Sequence, residues 1–198
     1  TTVEETAEKI RSMEIRGAGR IARAGAGALK EYAESYAGDT LEGFLAGLAS
    51  AQETLLSSRP TAVSLWNGIH ATVRGVESIA DLESAKAAVV RNAGDFCRRS
   101  EMAVKEIARI GARRIQDGDT IMTHCNSSAA LGVIKEAHRQ GKDVRVFATE
   151  SRPWRQGILT VNDLADAGVD VTLIIDSAVR GVMKKVDKVF VGADTVTS

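Results

Sequence analysis

The sequence predicts an α/β protein, with an N-terminal helical domain over residues 1–115 followed by a Rossmann-like parallel sheet domain over residues 116–198. Three observations predict it. Apolar residues recur at helical spacing through the first 115 positions. Beyond them the pattern changes to short β-branched runs bounded by turn residues. Helical stretches separate those runs, and strands alternating with helices give a parallel sheet with right-handed crossovers.

The elements follow in order. TVEETAEKIRSME (2–14) opens on a Thr N-cap with acidic residues in its first turn, as a helix start prefers. GRIARAGAGALKEYAESY (19–36) keeps helical spacing although its glycines lower propensity. TLEGFLAGLASAQETLLSS (40–58) is amphipathic and stops at Arg59-Pro60, because a residue before proline is pushed out of the helical region. Residues 81–115 form a long amphipathic stretch, read as one helix or two. TIMTH (120–124), VRVFATE (144–150), VTLIID (171–176) and KVFVGAD (188–194) read as strands. Between them 127–142, 160–169 and 177–186 read as helices, with Gly141 and Gly168 where a C-terminal glycine belongs.

Composition narrows the function classes. Lys+Arg and Asp+Glu number 26 each, so no global field argues for nucleic acid or an acidic membrane surface. The apolar runs fall short of the roughly 18 residues of a membrane span, and the charged N-terminus does not read as a signal peptide. Two cysteines in unrelated contexts make no disulfide framework and suit a reducing cytoplasm. His70, His124 and His138 show no metal-ligand spacing, so no metal is expected.

Ligands of an open parallel sheet bind beyond the carboxyl ends of its strands. Those ends carry His124-Cys125-Asn126, Glu150-Ser151-Arg152-Pro153, Asp176-Ser177 and Gly192-Ala193-Asp194. Cys125 stands just before a helix start, where unpaired N–H groups favour a thiolate; as a bland alternative it is a small hydrophobe closing a strand. A carboxylate after a strand commonly caps the next helix, which is the reading for Asp176. Cys97, inside GDFCRRS, reads as core or inert surface. EIRGAGRIAR has the spaced glycines of a dinucleotide fingerprint but follows no predicted strand. Its turn, flanked by Arg16 and Arg20, reads equally as a phosphate site or as a glycine-loosened helix junction. Arg59 reads as a helix stop or as a further basic contact.

RGAGRIAR, RPTAVSL, THCNSSAAL, ESRPWRQG and VGAD, in this order and at these spacings, resemble the archaeal ribose-1,5-bisphosphate isomerases. That branch belongs with methylthioribose-1-phosphate isomerase and the regulatory subunits of translation initiation factor 2B. The resemblance covers essentially the whole chain, and SLWNGI with THCNSSAAL resembles the bisphosphate branch more than the methylthioribose branch. It implies conversion of ribose 1,5-bisphosphate to ribulose 1,5-bisphosphate, without a cofactor, by a homo-oligomer. By resemblance Cys125 takes the C2 proton and Asp194 supplies the ring-opening proton. Arg16, Gly17, Arg59, Arg152 and Gln156 contact the phosphorylated ribose. Alternatives are methylthioribose-1-phosphate isomerase and a non-catalytic regulatory subunit. Family members continue past Gly-Ala-Asp with an Asn-Gly…Asn-Lys-Ile-Gly segment and further strands, so the sequence is expected to be truncated relative to them.

Overall fold

The computed structural model describes residues 2–194, which form two compact units, one of residues up to Glu101 together with Asp194 and one spanning Met102–Ala193. The sequence reading put the boundary after residue 115. The division falls earlier, between Glu101 and Met102, inside a single helix, α5 (Leu82–Gly111). The last turns of that helix pack within the sheet unit: Gly132 lies against Val104 and Ala108, and Gly111 against Val133. The stretch read as one helix or two is therefore one, and its C-terminal end belongs to the sheet.

The helical unit is built from α1 (Val3–Arg11), α2 (Ala18–Ser35), α3 (Leu41–Ser58), α4 (Val63–Val73) and the first part of α5. Thr2 caps α1 in a reciprocal box with Glu5: each side chain takes up the other's backbone N–H. Thr40 caps α3 by accepting from Gly43 N. Ile10, Leu29, Phe44, Leu55, Leu65, Ile69 and Val89 are fully buried between these helices. Phe44 stacks on Tyr32 at 5.7 Å and meets Tyr36 edge-on at 5.3 Å.

The glycines that weaken α2 as an isolated helix have a packing cause. A Cβ on Gly25 would stand 2.6 Å from Leu65 Cδ1, and one on Gly68 of α4 would stand 2.7 Å from the Ala22 carbonyl oxygen. The two helices approach too closely for side chains at these positions, and the burial gained offsets the propensity lost.

The sheet unit holds four parallel strands, β1 (Thr120–Thr123), β2 (Arg145–Thr149), β3 (Asp170–Ile174) and β4 (Lys188–Phe190), in the order β3-β2-β1-β4. This is the arrangement expected of a Rossmann-like half. Two crossover helices, α6 (Ser128–Arg139) and α7 (Gln156–Ala165), connect β1 to β2 and β2 to β3. They bury Leu131, Ile134, Ala137 and Leu164 against Ile121 and Val146, with Val171 and Phe190 packed at the margin. Register pairs Ile121 with Val146 and Val146 with Val171, so these three share that face.

The predicted helix over 177–186 is broken. Two 3-10 turns, Asp176–Ala178 and Met183–Lys185, flank the four-residue α8 (Val179–Val182). Its β-branched valines and Gly181 give little helix propensity, and none of its residues is buried to compensate.

Candidate active site

All four strands run the same way, so their carboxyl ends lie along one edge, and β1 delivers His124, Cys125 and Asn126 there. Cys125 is exposed and has φ +64, a left-handed conformation that a non-glycine residue adopts at a cost. Ser127 caps α6 by accepting from Ala130 N. Gly192 of the Gly-Ala-Asp motif lies against this corner: a Cβ there would come within 2.5 Å of Ser127 Oγ. The end of β4 thus closes on the Thr-His-Cys-Asn turn.

The loop after β2 holds Cys125 from the side. Cys125 N donates to Ser151 Oγ at 2.8 Å, and Ser151 Oγ donates in turn to the Thr149 carbonyl at 3.3 Å. Ser151 also lies at positive φ, +59. Its N–H donates to Asp176 Oδ1 at 2.8 Å, and Arg152 N donates to Oδ2 at 2.9 Å. Asp176 therefore anchors the neighbouring loop instead of capping a helix; it is itself the first residue of a 3-10 turn that has no side-chain cap. His124 Nδ1 lies 2.6 Å from Thr149 Oγ1.

Backbone N–H groups of Arg152 and then Ser151 hold the Asp176 carboxyl below its ordinary value of 3.8. A lowered carboxylate stabilises the fold above its unfolded value and loses that contribution as pH falls through its folded one. Amide exchange at Ser151 and Arg152, corrected for intrinsic rate, should be protected from about pH 6 to about pH 4 and lose protection below. Protection that persists unchanged as pH falls well below about 4 would show that the carboxylate does not anchor the loop.

Basic groups on this loop are neutralised. Glu150, with only 8% of its surface exposed, accepts from Arg152 Nε at 2.7 Å and pairs with Arg155 Nε at 3.3 Å. The hydrogen bond to Glu150 raises the Arg152 pKa above its ordinary value. Two guanidinium groups share this carboxylate, and Asp176 is a second acid bound to the same loop, so the charges beside Ser151 balance. Arg155, at φ +51, precedes α7, whose first residue is Gln156. One turn on, Thr160 Oγ1 donates to the Cys125 carbonyl at 2.7 Å and accepts from Asn126 Nδ2 at 3.0 Å.

The remaining expected contacts belong to the helical unit. Gly17 starts α2 with φ +87, and no side chain caps the helix there. Nothing lies within 4 Å of a Cβ at Gly17, so conformation and not space calls for glycine. Arg16 is half-buried beside it. Arg59 ends α3, and its Nη1 reaches Met13 Sδ at 3.1 Å, which sets this arginine against the loop that carries Arg16. Asp194 is exposed, and its contacts group it with this unit. The structure thus brings Cys125, Arg152 and Gln156 together on one unit, and Arg16, Gly17 and Arg59 on the other. Among the described residues no three His, Cys, Asp or Glu side chains gather as a metal site.

The sequence reading places Glu150 and Ser151 at the strand ends without a role, and does not include Thr160 or Arg155 in the site. Arg155 could have been found in ESRPWRQG, as a second arginine of the same short loop. Nothing in the sequence distinguishes Ser151 or Thr160 from the other serine and threonine hydroxyls.

A helical unit joined to a Rossmann-like sheet, with a thiol at the switch-point edge, defines the class. The chain belongs to the Initiation factor 2 subunit family, whose pattern matches residues 14–198. It is 50% identical over 196 residues to the ribose 1,5-bisphosphate isomerase of Methanocaldococcus jannaschii, covering 99% of this chain and 62% of that protein. With the enzyme of the same name from Archaeoglobus fulgidus it shares 55% identity over 196 residues, 99% of this chain and 61% of that one. It spans about three-fifths of the length of these curated relatives. Among solved structures it resembles 5-methylthioribose 1-phosphate isomerase from Pyrococcus horikoshii, with TM-score 0.87, 34% identity, and 98% and 58% of the two chains covered. It also resembles translation initiation factor eIF-2B subunit delta from A. fulgidus, with TM-score 0.82, 36% identity, and 98% and 61% covered.

Proposed function

We propose that the full-length protein converts ribose 1,5-bisphosphate to ribulose 1,5-bisphosphate. The observation that carries this reading is the exposed Cys125, held by the Ser151 loop that also carries Arg152 and leads into Gln156, in a chain half-identical to two archaeal isomerases of that name. The C1 phosphate prevents a free aldehyde, so the ring must open as the C2 proton leaves. Cys125 removes the C2 proton while Asp194 protonates the ring oxygen departing from C1. The electron pair of the C2–H bond forms the C1=C2 double bond of an enol, and the ring oxygen becomes the C4 hydroxyl. A proton returned to C1 and one lost from the C2 hydroxyl give the ketone, with no net change of atoms. Arg16, Arg59 and Arg152 hold the two phosphates, the guanidinium fork matching phosphate oxygens. Gly17 N–H and the Gln156 amide complete the contacts.

The experiment is turnover of ribose 1,5-bisphosphate and 5-methylthioribose 1-phosphate by full-length protein, side by side. Product from the bisphosphate is the expected result. Product from the methylthio sugar alone would transfer the assignment to that isomerase, a reading that likeness to the Pyrococcus horikoshii enzyme supports. Turnover of neither would favour a regulatory subunit.

We further propose a cytoplasmic homo-oligomer, a reading its free cysteines suit. No helix among the described residues is long and apolar enough to cross a membrane. Leu173 and Ile175 at the β3 edge expose 42% and 58% of their surface. Open strand edges with apolar side chains favour association. Full-length protein should sediment as a dimer or larger, and a monomer at micromolar concentration would exclude this.

A further inference from the structure

We propose that Ser151 and Thr160 are positioning residues that clamp Cys125 in its left-handed conformation, with Asp176 fixing Ser151 in turn. The inference rests on the isomerase reading only for its kinetic consequence. The geometry stands without it.

Two peptide planes flank every residue, and their orientations set its φ and ψ. At Cys125 both planes are held. The N–H of the preceding plane donates to Ser151 Oγ at 2.8 Å, and the carbonyl of the following plane accepts from Thr160 Oγ1 at 2.7 Å. Both hydroxyls are rigid supports: Ser151 exposes 7% of its surface and Thr160 none. They approach from different places, Ser151 from the loop after β2 and Thr160 from the first turns of α7. Each also has its second hydrogen-bonding role filled, Ser151 toward the Thr149 carbonyl and Thr160 by Asn126 Nδ2. Neither hydroxyl is free to turn away.

The clamp has its own foundation. Ser151 sits at φ +59, and the Asp176 carboxylate holds the N–H groups of Ser151 and Arg152 on its two oxygens. Left-handed backbone at a side-chain-bearing residue persists where its surroundings over-determine it. Two consecutive supports, Asp176 to Ser151 and Ser151 to Cys125, do so here. Conformation matters because φ sets where the Cα–Cβ bond points. A Cys125 relaxed to the extended region would aim its sulfur elsewhere, and a reacting group displaced by about 1 Å can lose about 100-fold in rate.

The test uses full-length protein carrying Ser151→Ala, Thr160→Val, or both, with Thr160→Ser as the conservative control. Each single variant should lower kcat about threefold to tenfold with KM nearly unchanged, and the pair about 10- to 100-fold. Thr160→Ser, which keeps the hydroxyl, should restore most of the rate. A crystal structure of the double variant should show Cys125 outside the left-handed region. If wild type turns over neither sugar phosphate, the isomerase reading fails and the Cys125 φ of the double variant alone decides. Positive φ at Cys125 in that variant, or kcat equal to wild type where turnover exists, would overturn the clamp. Should the double variant not fold, the φ of Ser151→Ala is read in its place.

Discussion

Full-length protein carrying Cys125→Ser should fold normally and lose about 10²- to 10⁴-fold in kcat toward ribose 1,5-bisphosphate, the range expected when a general base is removed. Serine differs from cysteine by one atom, but its hydroxyl is far too weakly acidic to be ionised at neutral pH. The hydrogen bonds at Cys125 run through its backbone N–H and carbonyl, not its sulfur, so the substitution leaves them in place. Because the side chain is exposed, stability should change by less than about 0.5 kcal/mol. KM should stay nearly constant, since the contacts assigned to phosphate binding lie on other residues. Steady-state kinetics with a urea titration checks both halves of this expectation. Isomerisation near the wild-type rate would remove Cys125 from the base's role.

Gly157→Ala should be the most damaging single methyl group in the sheet unit. Gly157 is the second residue of α7, where the chain turns back under the end of β2, and its N–H donates to the Glu150 carbonyl at 3.0 Å. A Cβ there would stand 1.8 Å from the Thr149 carbonyl oxygen, 2.7 Å from the Thr149 carbonyl carbon and 3.0 Å from the Glu150 Cα. All three atoms are backbone, and they carry the strand that pairs with both β1 and β3. No side-chain rotation can relieve the clash, so either the start of α7 or the end of β2 must move. The first would withdraw Thr160 from Cys125, and the second would shift Ser151. Overpacking commonly costs about 1–3 kcal/mol, and a clash with paired backbone belongs at or above the upper end. Gly181→Ala is the matched control: nothing lies within 4 Å of its Cβ, so its effect should stay within about 0.5 kcal/mol. Urea midpoints of the two variants give the comparison, and equal midpoints would show that β2 and α7 yield easily.

Much of the fold was legible because hydrophobic period is a local property. The strands fall on TIMTH, VRVFATE, VTLIID and KVFVGAD, with β3 starting one residue earlier at Asp170, and helices separate them. The 177–186 segment misled because apolar spacing survived there while valines, Gly181 and lack of burial removed the reason for a helix. The place of the division was not legible either. Residues 102–111 continue one helical pattern without interruption, and the packing of α6 on those turns assigns them to the sheet unit.

In the site, the sequence by itself determined the chemistry carried at the strand ends: a thiol ahead of a helix, an arginine after β2, and carboxylates after β3 and β4. Such groups are recognisable because a thiol is uncommon at such a corner and the order of the groups follows the strands. Only the tertiary structure decided how Cys125 is held and which carboxylates face the arginines of the neighbouring loop. Ser151 and Thr160 lie 26 and 35 residues from Cys125 in the chain, and the hydroxyls of serine and threonine serve a hundred ordinary purposes. What joins them to Cys125 is parallel pairing, which aligns the ends of β1 and β2 and sets the start of α7 below both. Asp176 likewise became an anchor, and Glu150 a partner shared by two arginines, because strand order makes neighbours of loops that local sequence leaves apart.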